Sequence, residues 1–141
     1  MGKTAFLFPG QGAQYVGMGK DLAETYDEAR ALYEQADEIL GFALSAICFE
    51  GPEDRLTATD VSQPAILVTS LAALAALRTT EAVRTLQPQA AAGLSLGEYT
   101  ALVAAGAIDF EDAVRITHLR GQAMQEACEV QASGMVSLIG V

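Results

Sequence analysis

Residues 93–97 read Gly93-Leu94-Ser95-Leu96-Gly97, and three alanines, Ala90-Ala91-Ala92, lead into them. A helical stretch from Glu98 to Val103 follows directly. Small apolar residues, then G-x-S-x-G, then a helix predict a buried strand that turns sharply with a serine at the corner. Few folds accommodate such a corner, because the strand needs a sheet beside it and the helix must return along that sheet. Glycines two positions to either side leave room that a larger side chain would deny. The corner holds its serine in a strained backbone conformation at a helix N-terminus, where N–H groups can stabilise an oxyanion. On this segment two readings of Ser95 are open, a nucleophile or a serine that caps the helix.

The remaining pattern is α/β. Thr4 to Phe8 reads as a short buried strand closed by Pro9-Gly10. Residues 18–40 read as one amphipathic helix, with Leu22, Tyr26, Ala29, Leu32, Tyr33, Ala36, Ile39 and Leu40 at helical spacing and Gly41 at the C-terminal cap. Gly51-Pro52 and Asp60 to Pro64 punctuate a loop region, after which Ser62 or Asp60 caps an Ala-rich helix with Pro64 in its first turn. A helix is expected from Thr79 to Leu86, a turn near Gly106, and a helix from Glu111 to about Cys128 whose acidic first turn suits the helix dipole. Met135 to Ile139 reads as a strand. Strands alternating with helices imply a parallel sheet. With so few strands, and the final one offered no partner, the chain is expected to be incomplete.

A length of 141 residues, 51% of them apolar, suits one globular domain with a real core. A net charge of −10 with scattered Lys and Arg argues against a nucleic-acid partner. The apolar run from Pro64 to Leu77 stops at Arg78 and is too short to cross a bilayer, so no membrane partner is expected. The N-terminus enters a strand at once, without a secretion signal, and Phe6 stands where myristoylation requires Ser or Thr. Cys48 and Cys128 lack metal-ligand spacing and need not pair, which fits a reducing cytoplasm with no metal and no bound cofactor.

Two further segments carry chemistry. Pro9-Gly10-Gln11-Gly12-Ala13-Gln14 follows the first strand. It is no dinucleotide fingerprint, because Tyr15 occupies the third glycine position, and no P-loop, because Met18 replaces the lysine. It is either an ordinary Gly-rich turn or the loop whose amide, at Gln11, joins that of Leu96 as an oxyanion hole. On the helix from Glu111, positions Ala113, Thr117, Arg120, Met124 and Ala127 share one face. An arginine in that stripe needs a carboxylate, supplied either by one of the chain's own acids or by a substrate. His118, the only histidine, lies roughly 200° around the helix from Arg120. It is therefore expected on the surface rather than as a general base, which leaves Ser95 without a visible activator.

Together these segments resemble the malonyl-CoA:acyl-carrier-protein transacylases. The resemblance rests on Phe8-Pro9-Gly10-Gln11-Gly12-Ala13-Gln14, Ser62-Gln63-Pro64-Ala65, Gly93-Leu94-Ser95-Leu96-Gly97-Glu98-Tyr99 and Leu119-Arg120-Gly121-Gln122-Ala123-Met124, in that order. It implies an α/β-hydrolase-like large domain with a parallel sheet and an inserted ferredoxin-like small domain. It implies Ser95 as the acylated nucleophile, the amides of Gln11 and Leu96 as the oxyanion hole, Arg120 as the clamp on the malonyl carboxylate, and Gln63 near the site. Malonyl-CoA would be the substrate, acyl carrier protein the partner, and fatty acid biosynthesis the setting. The chain departs from the family at Leu94, where the family has His before the nucleophile. The family's enzymes are also much longer, with their catalytic histidine in a later part. Residues 1–132 are thus expected to form the N-terminal part of the large domain, and 133–141 to begin the small one. The histidine-bearing remainder would be absent or in another chain. A polyketide-synthase acyltransferase, a serine hydrolase and a non-catalytic acyl-CoA-binding fragment are the alternatives.

Overall fold

The computed structural model describes residues 2–130. The expected strand at Met135 to Ile139, and with it the segment 133–141 assigned to a second domain, lies outside the described residues. Strands β1 (Ala5–Phe8) and β2 (Ala90–Gly93) pair in parallel, with Ala5 beside Ala90 and Phe8 beside Gly93. Because the register is level, both chains leave the sheet at the same edge. Neither strand is as buried as its composition predicted. Phe6 and Phe8 are half-buried, but Leu7 is 79% exposed. Burying a parallel strand takes neighbours on both edges and layers on both faces, and among the described residues this sheet has two strands, each with an open edge.

Helices α1 (Lys20–Thr25), α2 (Asp27–Leu40), α3 (Leu44–Glu50), α4 (Glu53–Thr57), α5 (Thr59–Thr79) and α6 (Glu81–Arg84) form the crossover between the strands, and α7 (Gly97–Ala104) and α8 (Phe110–Val130) follow. The single amphipathic helix expected over 18–40 is two, divided at Tyr26, whose backbone is extended (φ −121°, ψ 120°). Leu22 and Tyr26 still pack against the core. A one-residue interruption that keeps the apolar face in phase leaves no trace in the periodicity. Gly41 ends α2 as expected, at φ 73° with its N–H on the Asp37 carbonyl at 2.9 Å. The helix expected over Thr79 to Leu86 is the shorter α6.

The core is built on α5, which packs between α2 and α8. Every residue from Val61 to Val68 is buried, so the helix presents core on all sides. This overturns the loop expected over Asp60 to Pro64. The helix begins at Thr59, Ala58 is its N-cap, and neither Ser62 nor Asp60 caps it. Pro64 therefore lies inside the helix rather than in its first turn, and its missing N–H deprives the carbonyl of Asp60, four residues earlier. His118 replaces that donor, its Nδ1 lying 2.9 Å from the Asp60 carbonyl oxygen. Since a carbonyl only accepts, the imidazole proton is on Nδ1. The His118 ring is half-buried, with its centroid 5.7 Å from that of Phe42. Its expected surface position is thereby corrected: it repairs a helix. At 21 residues, α5 is also longer than its apolar run suggested. It is apolar enough to cross a membrane by length and composition, yet 67% of its most apolar stretch is buried in the protein.

Two close approaches secure this packing. The Tyr33 hydroxyl is buried and bonds Thr69 Oγ1 at 2.7 Å. A Cβ at Gly121 of α8 would lie 2.4 Å from the Thr59 carbonyl oxygen, so the two helices meet there only because the residue is glycine. Gly121→Ala should force them apart and cost about 1–3 kcal/mol, read as a lower Tm in a thermal melt. Burial pushes the Cys48 thiol up to about 12, with Asp37 adding to the shift, so Cys48 remains a thiol at pH 8. Cys128 is exposed. Titration with an aromatic disulfide at pH 8 should count one reactive thiol in the folded protein and two after denaturation.

Candidate active site

The corner after β2 is shaped by what its glycines lack. A Cβ at Gly93 would lie 2.0 Å from the Gly97 carbonyl carbon, and one at Gly97 would lie 2.5 Å from the Phe8 carbonyl oxygen. A Cβ at Gly10 would lie 2.6 Å from the Leu94 carbonyl oxygen. Three missing side chains thus let the corner close on itself and against the loop after β1. Ser95 between them takes φ 53°, the one non-glycine residue with positive φ among those described. The left-handed region costs a serine roughly 1–2 kcal/mol, and here the surrounding backbone enforces it.

Level strand ends place the loop from Pro9 to Gln14 beside Ser95, and the Leu94 N–H reaches the Phe8 carbonyl at 3.4 Å. The Gln14 Oε1 accepts from the Gly12 N–H at 2.8 Å and shapes the loop from within. Among the described residues, the N–H groups of Gln11 and Leu96 donate to no protein acceptor. No side chain caps α7, which removes the capping reading of Ser95.

The Ser95 hydroxyl instead faces Arg120. The guanidinium donates from Nη2 to Ser95 Oγ at 3.0 Å and from Nη1 to Gln63 Oε1 at 2.6 Å. It also lies over Tyr99, 5.9 Å from the ring centroid. Ion pairs join Lys20 to Glu50, Arg30 to Asp27, Arg55 to Asp60, Arg84 to Glu81 and Arg115 to Glu111. Arg120 has no carboxylate among the described residues, which corrects the reading that one of the chain's own acids neutralises it. Gln63 is fully buried on α5, and its Nε2 donates to Met124 Sδ at 3.1 Å. The stripe on α8 ends there, because Ala127 is exposed.

Three segments distant in sequence, α5, the corner and α8, thus bring Gln63, Ser95 and Arg120 together, with Leu96 next to Ser95, and the loop that carries Gln11 meets the corner through Gly10. The sequence did not single out Tyr99 or Gln14, and it placed Met124 in the stripe without a partner. The site is open, with Ser95 exposed and Leu94 77% exposed beside it. An apolar hollow of about 490 Å³ between β1 and α5, lined by Leu7, Leu74 and Leu77, does not include it. A strained hydroxyl, two undonated N–H groups and an unneutralised cation suit attack on a carbonyl carbon whose substituent carries negative charge.

Residues 5–139 match the acyl transferase domain family. A malonyl CoA-acyl carrier protein transacylase of Bacillus subtilis is 46% identical over 141 residues, which is 100% of this chain and 43% of that protein. The crystal structure of a malonyl CoA-acyl carrier protein transacylase from Clostridium perfringens superposes with a TM-score of 0.82 at 44% identity, covering 89% of this chain and 39% of the other. A malonyl-transacylase solved in complex with a type II polyketide acyl-carrier protein gives a TM-score of 0.81 at 43% identity, covering 89% and 40%. The chain therefore spans well under half the length of these relatives.

The backbone strain at Ser95 can be isolated by comparing two variants that both lack the hydroxyl. Ser95→Gly should be more stable than Ser95→Ala by about 1 kcal/mol, because only glycine is at ease at positive φ. Paired urea denaturation curves would measure the difference.

Proposed function

The chain belongs to the acyl transferase domain family, and we propose that it carries the nucleophile and carboxylate clamp of a transferase moving a malonyl group from coenzyme A to the phosphopantetheine thiol of an acyl carrier protein. The observation that carries this reading is Arg120, a guanidinium with only neutral partners, held 3.0 Å from Ser95 Oγ. A malonyl thioester brings its own carboxylate to that charge, and the planar fork of the guanidinium suits a bidentate pair. An acetyl group would leave the arginine as it stands. A hydrolase for uncharged esters has no use for it.

In the first half-reaction, Ser95 Oγ attacks the thioester carbonyl carbon and gives its proton to a base. The oxyanion forms against the N–H groups of Gln11 and Leu96. The C–S bond then breaks, coenzyme A leaves as a thiol on taking a proton, and the malonyl group remains as an ester on Ser95. In the second half-reaction the carrier's thiol attacks that ester, and Ser95 leaves with a proton. His118 is bonded to the Asp60 carbonyl, so the base comes from outside the described residues. The same reading takes residues 1–132 as part of an α/β-hydrolase-like large domain, with a ferredoxin-like small domain beginning at 133–141. The free thiols of Cys48 and Cys128 support a reducing, cytoplasmic setting. The name of the Bacillus relative supports the transfer of malonyl to an acyl carrier protein, the fatty-acid setting is part of the same proposal, and the polyketide carrier bound by one similar structure supports the alternative pathway.

Because the chain supplies no base of its own, intact mass spectrometry after long incubation with malonyl-CoA should show a slow, partial malonyl adduct on the chain and none on Ser95→Ala. With acetyl-CoA in competition, Arg120→Ala should lose malonyl preference by on the order of 10- to 100-fold, as expected for a lost charged hydrogen bond. An unchanged preference would rule out the clamp. Binding of malonyl-CoA without any adduct would favour the non-catalytic reading.

A further inference from the structure

We propose that Met124 is a positioning residue: its thioether sulfur sets the orientation of the buried Gln63 amide, and through that amide the aim of Arg120 at the acyl carboxylate. The inference rests on the clamp role proposed for Arg120. A guanidinium has donors only, so the side of Gln63 facing Arg120 must be its oxygen, as the 2.6 Å contact to Nη1 shows. The NH2 end then points the other way, inside a side chain with 0% exposure. Buried donors need acceptors, and the acceptor present is Met124 Sδ at 3.1 Å.

Helical spacing makes this arrangement possible. Residues four apart on one helix lie one above the other, so Arg120 and Met124 reach the two ends of a single amide that projects from α5. Met124 Sδ, Gln63 and Arg120 thus form a hydrogen-bonded chain that ends on Ser95 Oγ. Without an acceptor at position 124 the amide gains nothing from its present orientation at the NH2 end. Rotation would turn that NH2 toward a cation that cannot accept from it. The guanidinium would then be held by Ser95 and the Tyr99 face alone.

The test uses Met124→Leu, which keeps the volume and removes the acceptor, and Met124→Gln, which restores an acceptor at similar reach. Calorimetric titration of the chain with malonyl-CoA and with acetyl-CoA gives the preference for the dicarboxylic acyl group in each variant. The expected result is a roughly threefold to tenfold loss of that preference in Met124→Leu, the size of one neutral hydrogen bond. Acetyl-CoA affinity should stay unchanged, and Met124→Gln should recover most of the loss. Side-chain NH2 resonances of Gln63 should exchange with solvent faster in Met124→Leu than in the wild type. A preference retained in Met124→Leu while the wild type discriminates would overturn the role of Met124 alone. Equal losses in the Leu and Gln variants would reduce it to packing and overturn it as well. A wild type that does not discriminate would overturn the clamp, and this inference with it.

Discussion

The approach of the serine corner to the loop after β1 is the contact from which the site follows. It exists because Gly93, Gly97 and Gly10 have no Cβ, and at each of them a methyl group would fall within 2.6 Å of backbone. Backbone atoms cannot rotate away as side chains do, so the closeness is a property of the chain path. It sets the loop that carries Gln11 against the corner that carries Leu96 and keeps Ser95 at φ 53°. Strain at one residue is offset by packing at many.

A second close approach supplies the charge. Gly121 lets α8 lie against the start of α5, one residue after Arg120 and near the turn that carries Gln63. The same contact resolves a defect in α5. Pro64 leaves the Asp60 carbonyl without its helical partner, and His118 of α8 donates to it. One face of α8 therefore repairs the core helix while another aims a cation at the nucleophile. Burying Gln63 completely would be costly if either end of its amide were unpaired, and Arg120 and Met124 take one end each.

The chemistry-bearing segments were legible in the sequence because each depends on local spacing. Gly-x-Ser-x-Gly admits few backbone paths, and the i, i+4 stripe on α8 marked Arg120 as unusual among small and apolar neighbours. Helix ends were less legible. Tyr26 breaks a helix without shifting its apolar phase, and Pro64 sits within a helix that proline usually ends. Position 118 read as surface because angular position was referred to Arg120 alone. In the fold α8 packs on α2, α5 and α7, so a residue facing away from the site can still meet a neighbour.

The sequence by itself determined that a serine corner follows a small-residue strand, that a Gly-rich loop follows the first strand, and that Arg120 and His118 point in different directions. These are consequences of covalent geometry and helical periodicity, which act over a few residues. Only the tertiary structure decided that Arg120 has no carboxylate among the described residues, that its partners are Gln63 and Ser95, and that Met124 occupies the far end of the Gln63 amide. Those pairings join α5, α8 and the corner across 25 to 61 positions of sequence. A side chain's partner at that range is set by how helices cross, which local pattern does not encode.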